Sequence, residues 1–292
     1  MMNSTMHHPI GQIEPNDFPP LLREIPDAPV SLYIRGALPD ESRVPLAVIG
    51  SRRMSAYGKR VCEQLVEGLR GYPIAIISGL ALGLDSVAHE SALKAGLPTV
   101  AVLPSGLGEG VIYPASHRAL AGRILEAGGA LLSEYEEGAK PQEWSFAARN
   151  RIVAGLSRAV LVIEAAERSG TSITTRLALD YNRDVLAVPH PLGSDTGAGT
   201  NALIRAGATL VRSPGDILEA LGFSIDEQGP TEAPTDLSPD ELIVYEVLEN
   251  PCERGDLAER CNLPVPRVNV ALSMLIIKDI VREEMGKIVR AQ

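Results

Sequence analysis

Aromatic side chains are scarce in this chain of 292 residues, with one Trp, three Phe and seven Tyr. The core must therefore be built from aliphatic residues, and an aromatic beside a charged turn has few competitors for a recognition role. Cysteine is rarer still. Cys62, Cys252 and Cys261 are an odd number without metal-ligand spacing, which argues against a disulfide framework and suits reduced thiols in a cytoplasm. Five scattered histidines argue against a structural zinc. No apolar run is long enough to span a bilayer. Residues 1–17 are polar, carry His7 and His8 and have no apolar signal-peptide core, so they read as a disordered lead-in. Positive charge is also short, the formal net charge being −10. That balance argues against coating duplex DNA through many phosphate contacts, yet it leaves room for a local basic groove in an acidic body.

What the chain does have is an alternation of short apolar runs and helical patterns. Strand-like runs fall at Leu46–Ile49, Ile74–Ile77, Thr99–Leu103, Ala130–Leu132, Ala159–Ile163, Val185–Val188 and Thr209–Val211. Helical spacing fills most of the gaps. This pattern predicts an α/β domain over 18–222, with a mostly parallel sheet and helices on both faces. At its start, Phe18–Leu38 offers a turn of helix and a short strand, its prolines excluding a long helix. Residues 223–237 are polar and Pro-rich and read as a linker. Beyond it, Ser238 caps a helix with Glu241 as its capping-box partner. Asp256–Cys261 and Pro266–Asp279 follow as helices, then a hairpin from Val281–Glu283 and Lys287–Arg290. Three helices and a hairpin predict a small winged-helix-like domain over 238–292. It holds seven Lys/Arg against ten Asp/Glu, and its third helix offers only Arg267 and Lys278. A partner-binding or regulatory role fits that charge better than reading DNA.

Open α/β sheets bind ligands at the carboxyl ends of their strands. The first such end is Gly50-Ser51-Arg52-Arg53. Gly50 lets the backbone turn. Ser51 and the helix amides beyond it aim donors at an anion, and Arg52 adds full charge, so the element reads as a phosphate cradle. The second end gives Ser78-Gly79-Leu80-Ala81-Leu82-Gly83-Leu84-Asp85. The third gives Pro104-Ser105-Gly106-Leu107-Gly108, then Tyr113-Pro114. The fourth runs on to Phe146 and Arg149-Asn150-Arg151. The fifth includes Arg168-Ser169-Gly170-Thr171-Ser172, which resembles a phosphate loop feeding a helix but is not a Walker A motif. Nowhere does Gly-x-Gly-x-x-Gly follow a strand, so a dinucleotide cofactor is unsupported. A packed core does not require Gly, Ser and Arg at nearly every strand end, whereas a polyanion or nucleotide site does.

Several of these motifs, in this order, resemble the DNA-processing protein A (DprA/Smf) family. The resemblance runs from about Phe18 to the C-terminus. It rests on Gly50-Ser51-Arg52, the Ser78-to-His89 segment, Gly106-Leu107 with Tyr113-Pro114, Leu132-Ser133-Glu134, Arg149-Asn150-Arg151-Ile152 with Gly155-Leu156-Ser157, Ser169-Gly170-Thr171 and Gly199-Thr200-Asn201. It implies an extended Rossmann-like domain with a C-terminal winged-helix-like domain. It also implies single-stranded DNA binding, a homodimer, RecA recombinase as partner in natural transformation, and no enzymatic activity or cofactor. The chain departs from the family pattern at three places. Ala147 stands where Pro usually follows the Phe. Glu143 stands where some members carry a base, leaving Lys140 as the nearest cation. Leu82 stands where Arg is common.

The expected nucleic-acid contacts are thus Gly50, Ser51, Arg52, Gly79, Leu80, Ala81, Lys140, Phe146, Arg149, Asn150, Arg151, Ser169, Gly170, Thr171 and Ser172. Of the paired arginines, one is expected in an internal ion pair and Arg149 is expected to face DNA. Phe146 reads equally as a base-stacking platform or as core, with Trp144 a rival stacker. Asp85 and His89 lie at helical i,i+4 spacing and read as a hydrogen-bonded pair fixing the helix rather than a catalytic dyad. The rival function is a phosphoribohydrolase of the lysine-decarboxylase-like group. Its catalytic Glu, however, falls at Thr174 here, which removes the acid/base group.

Overall fold

The computed structural model describes residues 8–166, 170–223, 237–248, 252–278, 280–284 and 287–290. It divides into two compact units, between Gly229 and Pro230. The stretch read as a linker, 223–237, lies outside the described residues except at its two ends.

The first unit is built on nine strands: β1 (Ile10–Ile13), β2 (Leu32–Gly36), β3 (Val44–Ile49), β4 (Ile74–Ser78), β5 (Thr99–Val102), β6 (Ala130–Ser133), β7 (Ala159–Val162), β8 (Asp184–Ala187) and β9 (Thr209–Leu210). Their order in the sheet is β1-β2-β6-β5-β4-β3-β7-β8-β9. The seven strands from β3 to β9 run parallel to one another. β2 runs antiparallel on β6, and β1 antiparallel on β2. From β3 the chain moves outward through β4, β5 and β6, then returns to lay β7 on the other side of β3. That reversal puts the topological switch point, the usual ligand crevice of such sheets, between β3 and β7.

Eight helices accompany these strands among the described residues: α1 (Pro20–Arg23), α2 (Ala56–Glu67), α3 (Leu84–Ala95), α4 (Arg118–Glu126), α5 (Glu143–Gly155), α6 (Thr171–Asp180), α7 (Ala198–Arg205) and α8 (Pro214–Ala220). Strand residues alternate between two cores, as a period of two demands. Leu46, Val48, Ile74 and Ile76 pack with Leu65 and Val66 of α2, Ala88 of α3 and Ile217 of α8. Ala47, Ile49, Ile77 and Val100 pack on the other face with Leu22 of α1, Ile152 of α5 and Ala178 of α6. Burying each large aliphatic side chain contributes about 1.5–3 kcal/mol. This is how the unit forms a core with so few aromatics. The ends of α3 show why glycine is needed there. Gly83 opens the helix at φ +84°, where a Cβ would press on the Ser51–Arg52 backbone, and Gly96 closes it at φ +70°.

One expectation is corrected here. Residues 1–7 of the supposed disordered lead-in lie outside the described residues, but Ile10–Ile13 forms β1 on the sheet edge. Ile10 packs beside the Leu107–Leu120 cluster and Ile13 beside the Phe18–Leu32 cluster. Two isoleucines separated by Gly and Gln are too short a run to signal a strand without these neighbours.

The second unit holds α9 (Pro239–Val247), α10 (Leu257–Cys261) and α11 (Val265–Ile277), with a sheet ordered β10-β12-β11 from Cys252–Glu253, Lys287–Arg290 and Val281–Glu284. Its core is Val244, Leu248, Leu257, Leu272, Leu275 and Ile288. The capping box forms, with Ser238 N–H donating to Glu241 Oε2 at 2.6 Å. Three helices and a small antiparallel sheet make this unit winged-helix-like. The short strand β10 adds a partner to the hairpin that the sequence pattern did not reveal. Among the described residues no helix is long and apolar enough to cross a membrane.

Candidate nucleic-acid interface

The switch-point crevice is filled by the chain itself. Just past β7 stands Glu164, fully buried. Its main-chain oxygen accepts a hydrogen bond from Ser51 N–H at 2.9 Å, and its Oε2 accepts one from Ser55 N–H at 2.8 Å. Ser51 Oγ accepts from Arg53 N–H at 3.1 Å, and Ser55 Oγ caps α2 by accepting from Gly58 N–H at 3.0 Å. A Cβ at Gly58 would lie 2.7 Å from the Glu164 carboxylate, so the helix approaches it only as glycine. Of the donors read as a phosphate cradle, Ser51 N–H is therefore taken by the Glu164 carbonyl, Ser55 N–H by its carboxylate and Gly58 N–H by Ser55 Oγ. The Ser51 N–H read as a ligand donor is thus spent inside the fold, and a Cβ at Gly50 would lie 2.4 Å from Leu84 Cδ1. What the turn presents outward is Arg52 and Arg53, both exposed.

The second strand end is likewise closed on itself. Gly79 and Ala81 donate their N–H groups to Asp85 Oδ2 at 3.1 and 3.4 Å. Leu80, at φ +56°, is fully buried, and its carbonyl accepts from His117 Nδ1 at 2.8 Å. The backbone donors of Gly79 and Ala81 point inward, and the side chain of Leu80 belongs to the core. Arg149 is only 4% exposed. Its Nη1 donates to both Gly79 O and Val102 O, and its Nε donates to Asn150 Oδ1 at 3.3 Å. The expectation that Arg149 faces DNA is overturned: its guanidinium is a clamp across Gly79. Burial pulls that guanidinium down to about 10, while Asp85 pulls it back up. Burial also pushes the Asp85 carboxyl upward, opposed first by Arg149 and then by the two amides. Arg151 donates to Glu134, so both arginines of the pair are engaged within the fold.

Asp85 and His89 do not bond each other, contrary to their i,i+4 reading. Thr99 Oγ1 donates to Ile76 O at 2.9 Å, so His89 Nδ1 donates to Thr99 Oγ1 at 2.7 Å. Burial lowers His89 to about 3, which keeps the imidazole neutral.

The outward-facing chemistry gathers around Phe146. The Arg52 guanidinium lies over its ring, 5.1 Å from the centroid. Tyr113 meets the same ring edge-on, with centroids 5.4 Å apart and planes at 76°. Phe146 is half-buried and Tyr113 is 45% exposed. Two positions earlier on α5, and so on a different side of the helix, Trp144 is 62% exposed and rests on Tyr135. Lys140 is exposed and makes no ion pair among the described residues. At the start of α6, Gly170 and Ser172 are exposed and Thr171 is buried, while Ser169 lies outside the described residues. Thr174 is buried inside α6. Among the described residues no cluster of His, Cys, Asp or Glu is placed to hold a metal.

Sequence reasoning named Tyr113 at the third strand end but not among the expected contacts, and it missed Glu164 and His117 as members of this region. Tyr113 carried a signal, being an aromatic next to a strand-end turn in a chain with few aromatics. Glu164 carried none, because a lone acid after a strand looks like any surface carboxylate.

An open, mostly parallel sheet with a cation–aromatic patch beyond the ends of its central strands defines a Rossmann-like binding protein. The chain belongs to the DNA recombination-mediator protein A family, whose model matches residues 10–222. Protein Smf of Escherichia coli is 40% identical over 259 residues, covering 86% of this chain and 69% of that protein. The solved structure of DprA from Streptococcus pneumoniae aligns with a TM-score of 0.68 at 38% identity, covering 75% of this chain and 76% of that one. DprA from Helicobacter pylori, whose structure concerns its single-stranded DNA binding mode, aligns with a TM-score of 0.64 at 31% identity. That match covers 74% of this chain and 96% of that one.

Proposed function

We propose that this protein binds single-stranded DNA at the Arg52–Phe146–Tyr113 patch, as a cytoplasmic homodimer, and hands the strand to the RecA recombinase during natural transformation and recombination. The observation that carries this is the stacking of a cation and two aromatic rings on an exposed rim of an otherwise acidic chain. Such a rim suits splayed bases and a few phosphates better than a stiff duplex. The single-strand binding described for the H. pylori relative supports the substrate, and the recombination-mediator family supports the hand-over. Contacts from Lys140, Gly170 and Ser172 extend the rim, and Trp144 offers a second stacking surface. Two such rims in a dimer raise affinity through effective concentration. The protein acts by binding rather than by covalent chemistry, since Thr174 occupies the position where the phosphoribohydrolases carry their carboxylate.

The test is a salt-titrated binding curve on oligo-dT and on blunt duplex, with sedimentation of the free protein and RecA filament assembly on strands covered by single-strand-binding protein. Preference for oligo-dT, a dimer, and faster filament assembly are expected. Equal affinity for duplex at matched salt refutes the DNA assignment. A monomer at micromolar concentration removes the avidity argument, and unchanged assembly kinetics removes the RecA assignment.

A further inference from the structure

The carboxylate that plugs the switch-point crevice has an unusual neighbour. Glu164 Oε2 accepts from Ser55 N–H, but Oε1 is buried without a hydrogen-bond partner among the described residues. The nearest basic group is His190 Nε2, 3.9 Å away and likewise buried without a partner. The other ring nitrogen fixes the tautomer. Val188 O, which only accepts, lies 3.1 Å from His190 Nδ1. Thr200 Oγ1 lies 3.0 Å from the same nitrogen and gives its own proton to Gly197 O at 2.9 Å. Nδ1 therefore carries a hydrogen. In a neutral ring, Nε2 would then aim a bare lone pair at a bare carboxylate oxygen, both out of water. Two buried acceptors facing each other are costly, and one proton between them resolves both.

The surroundings hold the ring in place without supplying that proton. Tyr57 of α2 meets His190 edge-on, with centroids 4.9 Å apart, and its hydroxyl donates to Pro189 O at 3.0 Å. Arg60 lies over the Tyr57 ring at 5.8 Å. Asn201 of α7 clamps the His190 backbone through its N–H and C=O, each at 3.0 Å. On the other side, Glu164 fixes both ends of the turn that displays Arg52, through Ser51 N–H and Ser55 N–H.

We infer that His190 carries the proton and pairs as an imidazolium with the Glu164 carboxylate, and that this buried pair sets the turn from which Arg52 reaches DNA. Glu164 and His190 are thus positioning residues for the DNA site, an inference that rests on the reading that Arg52 meets DNA. Formation of the pair takes up one proton from solvent and closes the gap between Oε1 and Nε2 to hydrogen-bond length.

The decisive measurement is ¹⁵N NMR of the histidine-labelled full chain near neutral pH, with His190→Gln used to assign the signal. The wild type should show a protonated Nε2 on His190. Glu164→Gln should show a bare Nε2 accepting from the new amide, while the amide oxygen still accepts from Ser55. A bare Nε2 in the wild type overturns the pairing. The second measurement is affinity for oligo-dT, with melting curves to confirm that each variant is folded. Glu164→Ala should bind about tenfold more weakly, and Glu164→Gln should recover most of that loss. Combining Glu164→Ala with Arg52→Ala should weaken binding by less than the product of the two separate effects, because Glu164 acts through Arg52. Full multiplication of the two effects, or a folded Glu164→Ala protein that binds as the wild type does, overturns the positioning role. If Arg52→Ala itself binds normally, the DNA reading fails instead, and the NMR result still judges the pair.

Discussion

The Arg52 guanidinium lies over the Phe146 ring, 5.1 Å from its centroid, so that the two side chains are in contact. Arg52 comes from the turn after β3, and Phe146 from the first turn of α5. The fold thus brings together a guanidinium and an aromatic ring, the two groups that the proposed DNA site uses for a phosphate and a base. The two should nevertheless fail in different ways. Arg52→Ala should weaken single-strand binding whatever the base and flatten the dependence of log affinity on log salt by roughly 0.7, the value for one phosphate. Phe146→Ala should cost about 1–3 kcal/mol of binding and leave that slope nearly unchanged. Because the residues touch, the double variant should lose less than the sum, by about 0.5–1 kcal/mol, the size of an exposed cation–π contact. Salt-titrated affinities of the three variants check this, and strict additivity would separate the two side chains.

Arg149 should behave as a structural residue. Removing its guanidinium leaves Asp85 without its charge partner and leaves the Gly79 and Val102 carbonyls without a donor. Arg149→Met should therefore cost about 3–5 kcal/mol of stability, the usual penalty for breaking a buried pair. Arg149→Lys should recover little, since a single ammonium does not reproduce the planar fork that spans two carbonyls. Urea unfolding measures both. A stable Arg149→Met protein with lost DNA affinity would return this arginine to the interface.

The order of strands and helices was legible because each central strand is buried on both faces and so reads as an unbroken aliphatic run. The strand order was not, since nothing in β2 says that it pairs antiparallel with β6. At the site, the structure brings Arg52 beside Phe146, while the backbone donors of the other marked turns point inward. Gly50-Ser51, Gly79-Leu80-Ala81 and Arg149 look like ligand groups because donors and charge concentrate there. Of the partners that absorb them, Glu164 and Val102 come from segments remote in the chain, whereas Asp85 follows the Gly79 and Ala81 amides on the next helix. Arg52 was legible because it follows a Gly-Ser turn, and Phe146 because aromatics are few; Arg52 makes no ion pair among the described residues.

His89 gives the fold a pH dependence of calculable sign. It is fully buried, and burial lowers it from an ordinary 6.5 to about 3. Between those values the unfolded chain binds a proton that the folded chain does not. Stability from this residue is thus intact above about 6.5 and falls as pH drops towards 3, at about 1.4 kcal/mol per pH unit. His89→Gln keeps an amide donor for Thr99 Oγ1 and does not titrate. Its urea-unfolding free energy should fall less steeply than the wild type's between about pH 6 and pH 4. Parallel curves would mean that the imidazole is charged, or reaches water, inside the folded chain.

The winged-helix-like unit should contribute little to DNA affinity. In many such folds the third helix enters the major groove, which requires cations free to meet phosphate and bases. Here α11 has Arg267 bound to Asp240, with Nε 2.7 Å from Oδ2, and Lys278 bound to Glu241 at 3.1 Å. Between them the helix shows Val270, Met274 and Ile277, which are 66%, 41% and 76% exposed. Their spacing of four and then three residues sets them on one face. An apolar face flanked by neutralised charges suits contact with protein better than contact with a polyanion. A chain ending at Gly222 should therefore keep its oligo-dT affinity within about threefold, less than 1 kcal/mol, and should keep the salt slope of the full chain. Asp240→Asn, which releases Arg267, should raise affinity only slightly. The measurements are fluorescence anisotropy over a salt series and sedimentation of the shortened chain. If that chain stays folded and dimeric but loses most of its affinity or part of its slope, the second unit touches DNA, and α11 must be read as a recognition helix after all.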